Sequence, residues 1–148
     1  MKNIVVNVPS ISQPIRPSPG FAKKELSTYK LDIMALCGFG CSYCSSNSGN
    51  YLRINRKRFA ELAREQTGQP LTPVDHPEVT YEWPKILENL NAQLANAPPL
   101  FGAGETLVFS MLTDGFSPRL VADGTTERAL KLVLDRTSLR VRILTKNA

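Results

Sequence analysis

The stretch "TYKLDIMALCGFGCSYCSSNSGN" at residues 28–50 joins a mostly apolar run to the only three cysteines of the chain. The run at residues 28–36 predicts a buried strand of a parallel sheet, because such strands are covered on both faces and read as nearly continuous apolar segments. The strand ends at a glycine-rich turn and delivers Cys37, Cys41 and Cys44 into the following loop. Cysteines so closely spaced favour metal binding or catalysis over a disulfide framework.

Length and composition bound the class of protein. The chain has 148 residues, of which 42% are hydrophobic and 21% charged, as expected for one globular domain or part of one. The start, "MKNIVVNVPS", lacks the apolar segment of a signal peptide, and no stretch approaches the length of a membrane span. We therefore expect a cytoplasmic protein that does not associate with a membrane.

The net charge is positive. A formal charge of +5 permits an anionic partner such as nucleic acid without identifying one. The densest basic segment is "RINRKR" at residues 53–58. It predicts either contacts with phosphates or the solvated start of a helix, and the sequence leaves both open.

The chain divides into an extended lead-in at residues 1–28, rich in proline, and a core domain at residues 29–148. After the cysteine loop, Asn55 is expected to cap a helix that Gly68 and Pro70 stop. Residues 71–83 predict irregular structure. A second helix is expected to start near Pro84, with an apolar face formed by Leu87, Leu90, Leu94 and Ala97.

The last third of the chain predicts strand, loop, helix and strand. The two strands are "TLVFSML" at residues 106–112 and "LRVRIL" at residues 139–144. Between them, Thr125 or Thr126 is expected to cap a helix over "ERALKLVLDR", with an apolar stripe of Leu130, Val133 and Leu134. This order is the βα alternation of an α/β fold.

In α/β folds the functional residues gather beyond the carboxyl ends of the strands. Three polar clusters fall at such ends: the cysteine loop, Ser110 with Thr113 and Asp114, and Thr145 with Lys146. Three thiolates from one short loop are enough to hold three corners of a cubane iron–sulfur cluster, whose usual complement is four cysteines. The fourth iron then keeps an open position for a ligand. A zinc site formed by the cysteines and His76 is the alternative.

The spacing of Cys37, Cys41 and Cys44, with Tyr43 just before the last, resembles the motif of the radical S-adenosylmethionine (radical SAM) superfamily. The resemblance implies a [4Fe-4S] cluster whose open iron binds the methionyl group of S-adenosylmethionine. Reduction then cleaves the cofactor to methionine and a 5′-deoxyadenosyl radical, which abstracts hydrogen from a substrate. It also implies a reductant such as a flavodoxin or ferredoxin.

The later strands are similar to the spore photoproduct lyase-like, or DNA repair photolyase-like, branch of that superfamily. "SMLTDGFSP" at residues 110–118 and "ILTKNA" at residues 143–148 match its second and third strands. The resemblance implies that Ser110 and Thr113 contact the methionyl or ribose groups of the cofactor. It further implies that Lys146 pairs with the cofactor carboxylate and that Tyr43 lies beside the adenine.

Two departures from that branch limit what the resemblance implies. The photoproduct lyases carry a further cysteine on the second strand, and this sequence has no fourth cysteine, so the substrate and the catalytic residues stay open. The superfamily core resembles a (β/α)6 partial barrel of TIM type. This chain supplies about three βα units of it, so we expect the N-terminal portion of a core domain truncated at its carboxyl end.

Two classes of function follow from the sequence. The first is a radical SAM enzyme, lyase-like or other, acting on an unidentified substrate with nucleic acid as the leading candidate. The second is a non-catalytic zinc or iron–sulfur module with a structural or interaction role.

Overall fold

The computed structural model describes residues 4–19, 27–36, 50–71, 79–109 and 118–143 of the chain. Seven strands and four helices lie wholly within these ranges. The strands are β1 (Ile4–Asn7), β2 (Arg16–Pro17), β3 (Tyr29–Leu31), β4 (Met34–Leu36), β5 (Val79–Glu82), β6 (Thr106–Phe109) and β7 (Arg140–Ile143). The helices are α1 (Asn50–Thr67), α2 (Ile86–Ala95), α3 (Pro118–Ala122) and α4 (Thr125–Arg136).

The chain separates into two compact units, each with its own sheet. The first unit contains Met1–Pro9 and Met34–Pro84, and the second contains Ser10–Ile33 and Lys85–Ala148. The described strands form two open sheets, of three and four strands, rather than a closed barrel.

The first unit is built around β5. This strand pairs in parallel with β1 and antiparallel with β4, where the register shifts between Met34 and Leu36. Helix α1 packs against β1. The buried hydrophobic side chains of this core are Val6, Val8, Ala35, Phe59, Ala63, Leu71, Val79 and Tyr81.

The second unit contains the larger sheet, in the order β2-β3-β6-β7. Strands β3, β6 and β7 are parallel neighbours. Along the chain, β4 and β5 of the other sheet come between β3 and β6, and α3 and α4 come between β6 and β7. Leu31, Leu107 and Phe109 are fully buried, as expected for strands of a parallel sheet. Helix α2 packs on α4, with Leu90 and Val133 among the fully buried side chains of the unit.

The single strand predicted over residues 28–36 is wrong. The structure divides this run into β3 and β4, which belong to different sheets. Asp32 and Ile33 lie between them. Aspartate is among the residues least favoured in strands, and it interrupts the apolar run where the two strands separate.

The prediction of irregular structure at residues 71–83 is wrong for β5, the central strand of its sheet. Val79, Thr80 and Tyr81 are β-branched or aromatic residues of high strand propensity, and all three are buried. The neighbouring prolines obscured this signal. Two strands, β1 and β2, also lie within the residues predicted to form an extended lead-in.

The helix boundaries differ from prediction mainly at their starts. Helix α1 begins at Asn50 rather than after Asn55, because the Arg, Lys and Leu residues around Asn55 are good helix formers. It ends before Gly68, whose φ of +83° stops the helix as predicted. Gln66 near the end of α1 is exposed, and its side chain hydrogen-bonds the backbone of Asn7.

Helix α4 starts beside Gly124 and not under a threonine cap. The carboxylate of Asp123 accepts a hydrogen bond from the backbone N–H of Thr125 at 2.9 Å. The buried face of α4 consists of Thr126, Ala129 and Val133. Of the predicted stripe only Val133 is buried, and Leu134 is 60% exposed.

Tyr81 joins β5 to helix α1 and to the residues that follow this helix. Its buried hydroxyl donates toward the carbonyl oxygens of Leu71 and, at 3.2 Å, of Phe59, whose ring lies 4.9 Å from the tyrosine ring. Burial raises the pKa of Tyr81 to about 12, from 10.0. The phenol therefore stays protonated in the folded chain at pH values where the unfolded chain has released the proton.

Replacing Tyr81 by phenylalanine is expected to lower the free energy of unfolding by about 1–2 kcal/mol at pH 8, because buried carbonyl groups lose their donor. The wild-type stability carried by the raised pKa is complete below pH 10 and is lost as the pH rises toward about 12, a fall of roughly 2–3 kcal/mol. Urea unfolding across this range should show the gap between wild type and Y81F closing and then reversing near pH 12, because Y81F has no phenol to ionise.

Tyr29→Phe, which removes a half-buried phenol from the second unit, is the control for losing one tyrosine hydroxyl. A gap between wild type and Y81F that stays constant from pH 8 to pH 12 would contradict the raised pKa of Tyr81.

In each unit, a glutamine on a helix hydrogen-bonds both the backbone N–H and the carbonyl of one residue. Gln93 on α2 accepts from the N–H of Ile15 at 2.9 Å and donates to the carbonyl of Ile15 at 2.8 Å. Gln66 on α1 makes the same two bonds with Asn7, at 2.8 and 2.7 Å. The Gln93 pair is partly buried and the Gln66 pair is exposed.

Because unmade hydrogen bonds are more costly when buried, Gln93→Ala is expected to lower the free energy of unfolding by about 1–2 kcal/mol. Gln66→Ala, the matched control, should cost less than about 1 kcal/mol. Gln93→Glu should resemble Gln93→Ala, because the carboxylate cannot donate to the Ile15 carbonyl. Urea denaturation tests this, and equal losses for the two alanine variants would contradict it.

Candidate functional site

The residues predicted to form the site lie outside the described residues. Cys37, Cys41, Tyr43 and Cys44 fall in 37–49, Ser110 and Thr113 in 110–117, and Lys146 in 144–148. His76, the nitrogen ligand of the zinc alternative, falls in 72–78. The described elements define where each of these segments begins and ends.

The cysteine segment runs from a strand to a helix within the first unit. Cys37 follows β4 directly, and Asn50, six residues after Cys44, is the first residue of α1. Met34 and Ala35 on β4 are buried, and β4 pairs antiparallel with β5. The strand before the cysteines is therefore anchored in a sheet core, but it is not a strand of the parallel set predicted from the sequence.

The segments that contain Ser110 and Lys146 leave one edge of the second sheet. Strand β6 ends at Phe109 and β7 ends at Ile143, and these two residues are register partners. Because β6 and β7 are parallel, their carboxyl ends lie at the same edge. Ser110 follows β6 directly, and Lys146 comes three residues after Ile143.

The same edge holds an ionisable residue that the sequence analysis did not select. Asp32 follows β3, whose last residue, Leu31, is the register partner of Phe109. Asp32 is only 2% exposed. Its signal in the sequence is a single aspartate inside an apolar run, a position where a charged residue is uncommon without a specific role.

The donor set is the test of which metal group the cysteines fit. Three thiolates and no fourth cysteine match a cubane cluster with three irons held by protein and one iron open. A closed structural zinc site needs a fourth ligand. His76, the single histidine of the chain, is the candidate for that ligand. Among the described residues, no three His, Cys, Asp or Glu side chains lie close enough together to hold a metal ion.

The basic segment at residues 53–58 lies within α1. Its last two residues, Lys57 and Arg58, are exposed, and Phe59 next to them is buried in the core. Both sequence interpretations, a phosphate contact and a solvated helix, are compatible with two exposed cations on a helix whose opposite face is buried.

In the part of the chain that the structure describes, no helix combines the length and the apolar character needed to cross a membrane. Comparison with known proteins gave no match to a family model, to a curated protein or to a solved structure.

Proposed function

We propose that this chain is part of a radical SAM iron–sulfur enzyme acting on an unidentified substrate, with nucleic acid as the leading candidate. A [4Fe-4S] cluster, once bound and reduced, supplies the electron that splits S-adenosylmethionine into methionine and the hydrogen-abstracting 5′-deoxyadenosyl radical. The observation that carries the proposal is the cysteine spacing, with three residues between Cys37 and Cys41 and two between Cys41 and Cys44.

The arrangement of the second unit supports the proposal. Strands β3, β6 and β7 are parallel and adjacent, and α3 and α4 lie between β6 and β7 along the chain, although β4 and β5 of the other sheet come between β3 and β6. Consecutive parallel strands joined by helices are what a partial (β/α)6 barrel requires, and its ligands bind beyond the carboxyl ends of the strands. We therefore propose that the fold is the N-terminal portion, about three βα units, of such a barrel.

Each residue of the proposed site has a role suited to its chemistry. The thiolates of Cys37, Cys41 and Cys44 bind three irons. The hydroxyl groups of Ser110 and Thr113 can both donate to and accept from the methionyl and ribose groups of the cofactor. The ammonium group of Lys146 neutralises the cofactor carboxylate.

Tyr43 is proposed to lie beside the adenine, where an aromatic side chain provides a flat apolar contact. The electron is proposed to come from a flavodoxin or ferredoxin. No membrane is proposed to take part in this electron transfer.

Reconstitution of the purified chain with iron and sulfide under anaerobic conditions tests the proposed function. The expected result is a brown protein with about four irons per chain, the content of one cubane cluster. After reduction with dithionite it should convert S-adenosylmethionine to 5′-deoxyadenosine. A colourless protein that holds one zinc per chain and forms no deoxyadenosine would instead establish the non-catalytic metal-binding module.

A further inference from the structure

The two faces of the larger sheet differ in chemistry. Side chains alternate between the faces along each strand, and register partners on neighbouring strands lie on the same face. Strands of a parallel sheet are usually apolar on both faces. Here the face opposite the apolar one carries lysine and arginine side chains, and we call it the cationic face. The apolar face carries Tyr29, Leu31, Leu107, Phe109, Val141 and Ile143.

A row of register partners crosses the cationic face. Lys30 on β3 is the partner of Arg16 on β2 and of Val108 on β6. Val108, which is 2% exposed, is in turn the partner of Arg142 on β7. Neighbouring strands lie about 4.8 Å apart, so roughly 10 Å separates the backbones of Lys30 and Arg142, with Val108 between them. Both cationic side chains are long enough to meet over Val108.

Protection of a sheet edge explains only part of the cationic face. Charged side chains on an edge strand hinder pairing with another chain, and Arg140 and Arg142 lie on the edge strand β7. Lys30 differs from them because β3 lies between β2 and β6, and its side chain is half-buried. Like charges directly opposite each other on neighbouring strands are destabilising, and Lys30 is opposite Arg16. An anion bound at Lys30 would offset that repulsion.

The cations of this face differ in their contacts. Arg16 makes an interaction of its own, and Arg140 donates to the carbonyl oxygen of Gly104 at 3.3 Å. Among the described residues, no carboxylate forms an ion pair with the side chain of Lys30 or of Arg142. The candidate contacts for an anion are therefore Lys30 and Arg142.

We propose that the cationic face binds a phosphate monoester between Lys30 and Arg142. A monoester carries about two negative charges at neutral pH and has three strong acceptor oxygens, so it matches two cations. The guanidinium group of Arg142 binds two of these oxygens in its planar fork, and the ammonium group of Lys30 binds the third as a point charge. The inference does not rest on the proposed radical SAM function, because it uses none of the cysteines.

The test is a titration of the full chain, without iron, with thymidine 5′-monophosphate. Binding is followed by nuclear magnetic resonance through the backbone amides of Lys30, Val108 and Arg142, which should shift and saturate. Sodium chloride at equal ionic strength should not reproduce these shifts. K30Q and R142Q should each weaken binding about tenfold, the effect of one lost charge-assisted hydrogen bond.

Two further variants are controls for charge and for folding. K30R keeps the positive charge and should bind within about twofold of wild type. K131Q removes a cation of the same unit from α4, where its side chain is 68% exposed, and should leave binding unchanged. Arg142 is exposed, so R142Q keeps the test valid if K30Q does not fold.

The outcomes decide between a monoester site and two alternatives. Wild-type affinity in R142Q, or an equal loss in K131Q, would show a general response to net charge and would overturn the site. Tighter binding of thymidylyl-(3′→5′)-thymidine, whose one phosphate is a diester, would overturn the monoester and indicate a surface for a nucleic-acid backbone. Cluster assembly and 5′-deoxyadenosine formation are measured separately, so failure of the proposed function leaves this result unchanged.

Discussion

Replacing any one of Cys37, Cys41 and Cys44 by alanine is expected to reduce formation of 5′-deoxyadenosine to background in the reconstituted, reduced chain. Each thiolate is proposed to hold one iron, and alanine supplies no alternative ligand. A cluster with two protein ligands is expected to be lost during gel filtration. Iron content and the electron paramagnetic resonance signal of the reduced protein should therefore fall together with product.

Two matched variants make this result interpretable. Ser45→Ala changes a residue beside Cys44 that is not a proposed ligand, and it should keep both iron and product. His76→Ala should also leave both unchanged. If His76→Ala instead removes a stoichiometric metal along with the cysteine variants, the mixed thiolate and imidazole zinc site is correct and the radical SAM proposal is wrong.

Sequence pattern located the elements with a clear apolar signal. The spacing of Leu90 and Leu94 located α2, and the continuous apolar run from Thr106 located β6. Strand β5 has the same four-residue length as β6, but Thr80 and Glu82 interrupt its apolar run. The central strand β5 was missed for that reason, although Val79, Thr80 and Tyr81 favour a strand.

The division of the predicted first strand could not be derived from local pattern. Tyr29–Leu31 and Met34–Leu36 lie in one mostly apolar run, and their assignment to different sheets depends on pairing with β6 and β5, more than 40 residues further along the chain. Local propensity does not encode such partners. The cysteine spacing, by contrast, is a chemical signature that can be recognised in the sequence alone.

The edge of the second sheet shows how much a parallel register adds to the sequence. The sequence places Ser110 after one strand and Lys146 after another, but only the pairing of Phe109 with Ile143 brings both segments to one edge. The pairing of Leu31 with Phe109 adds Asp32 to that edge. Without these strand pairings, the sequence alone could not place the aspartate of the apolar run at that edge.

Gly102→Ala is expected to lower the free energy of unfolding of the second unit by about 3 kcal/mol. Gly102 has a φ of +84°, where a side chain is strained. A Cβ atom there would clash with Cγ of Leu139 and lie 2.5 Å from its Cδ2 and 3.2 Å from its backbone nitrogen. Leu139 is 6% exposed and has little room to move.

Gly104→Ala is the matched control, because Gly104 has a φ of +75° in the same turn but no atom within 4 Å of its Cβ position. It should lose only the backbone contribution, about 1 kcal/mol. Urea denaturation measures both losses. Equal losses would show that the contact with Leu139 does not contribute and that backbone strain accounts for the whole effect.

The strain in Gly102→Ala is expected to weaken the pairing of β6 with β7, the strand that precedes the Lys146 segment. The turn that contains Gly102 is fastened to the connection between α4 and β7, where Ser138 N–H donates to Phe101 at 2.7 Å and Arg140 N–H donates to Glu105 at 3.0 Å. Leu139→Ala relieves the clash, so in a double-mutant cycle Gly102→Ala should cost about 1 kcal/mol in that background.

Because β7 is held at this end, a turn displaced by the clash loosens the strand that leads to Lys146. Weaker amide protection of β7 in Gly102→Ala than in Gly104→Ala would show that the turn sets this register.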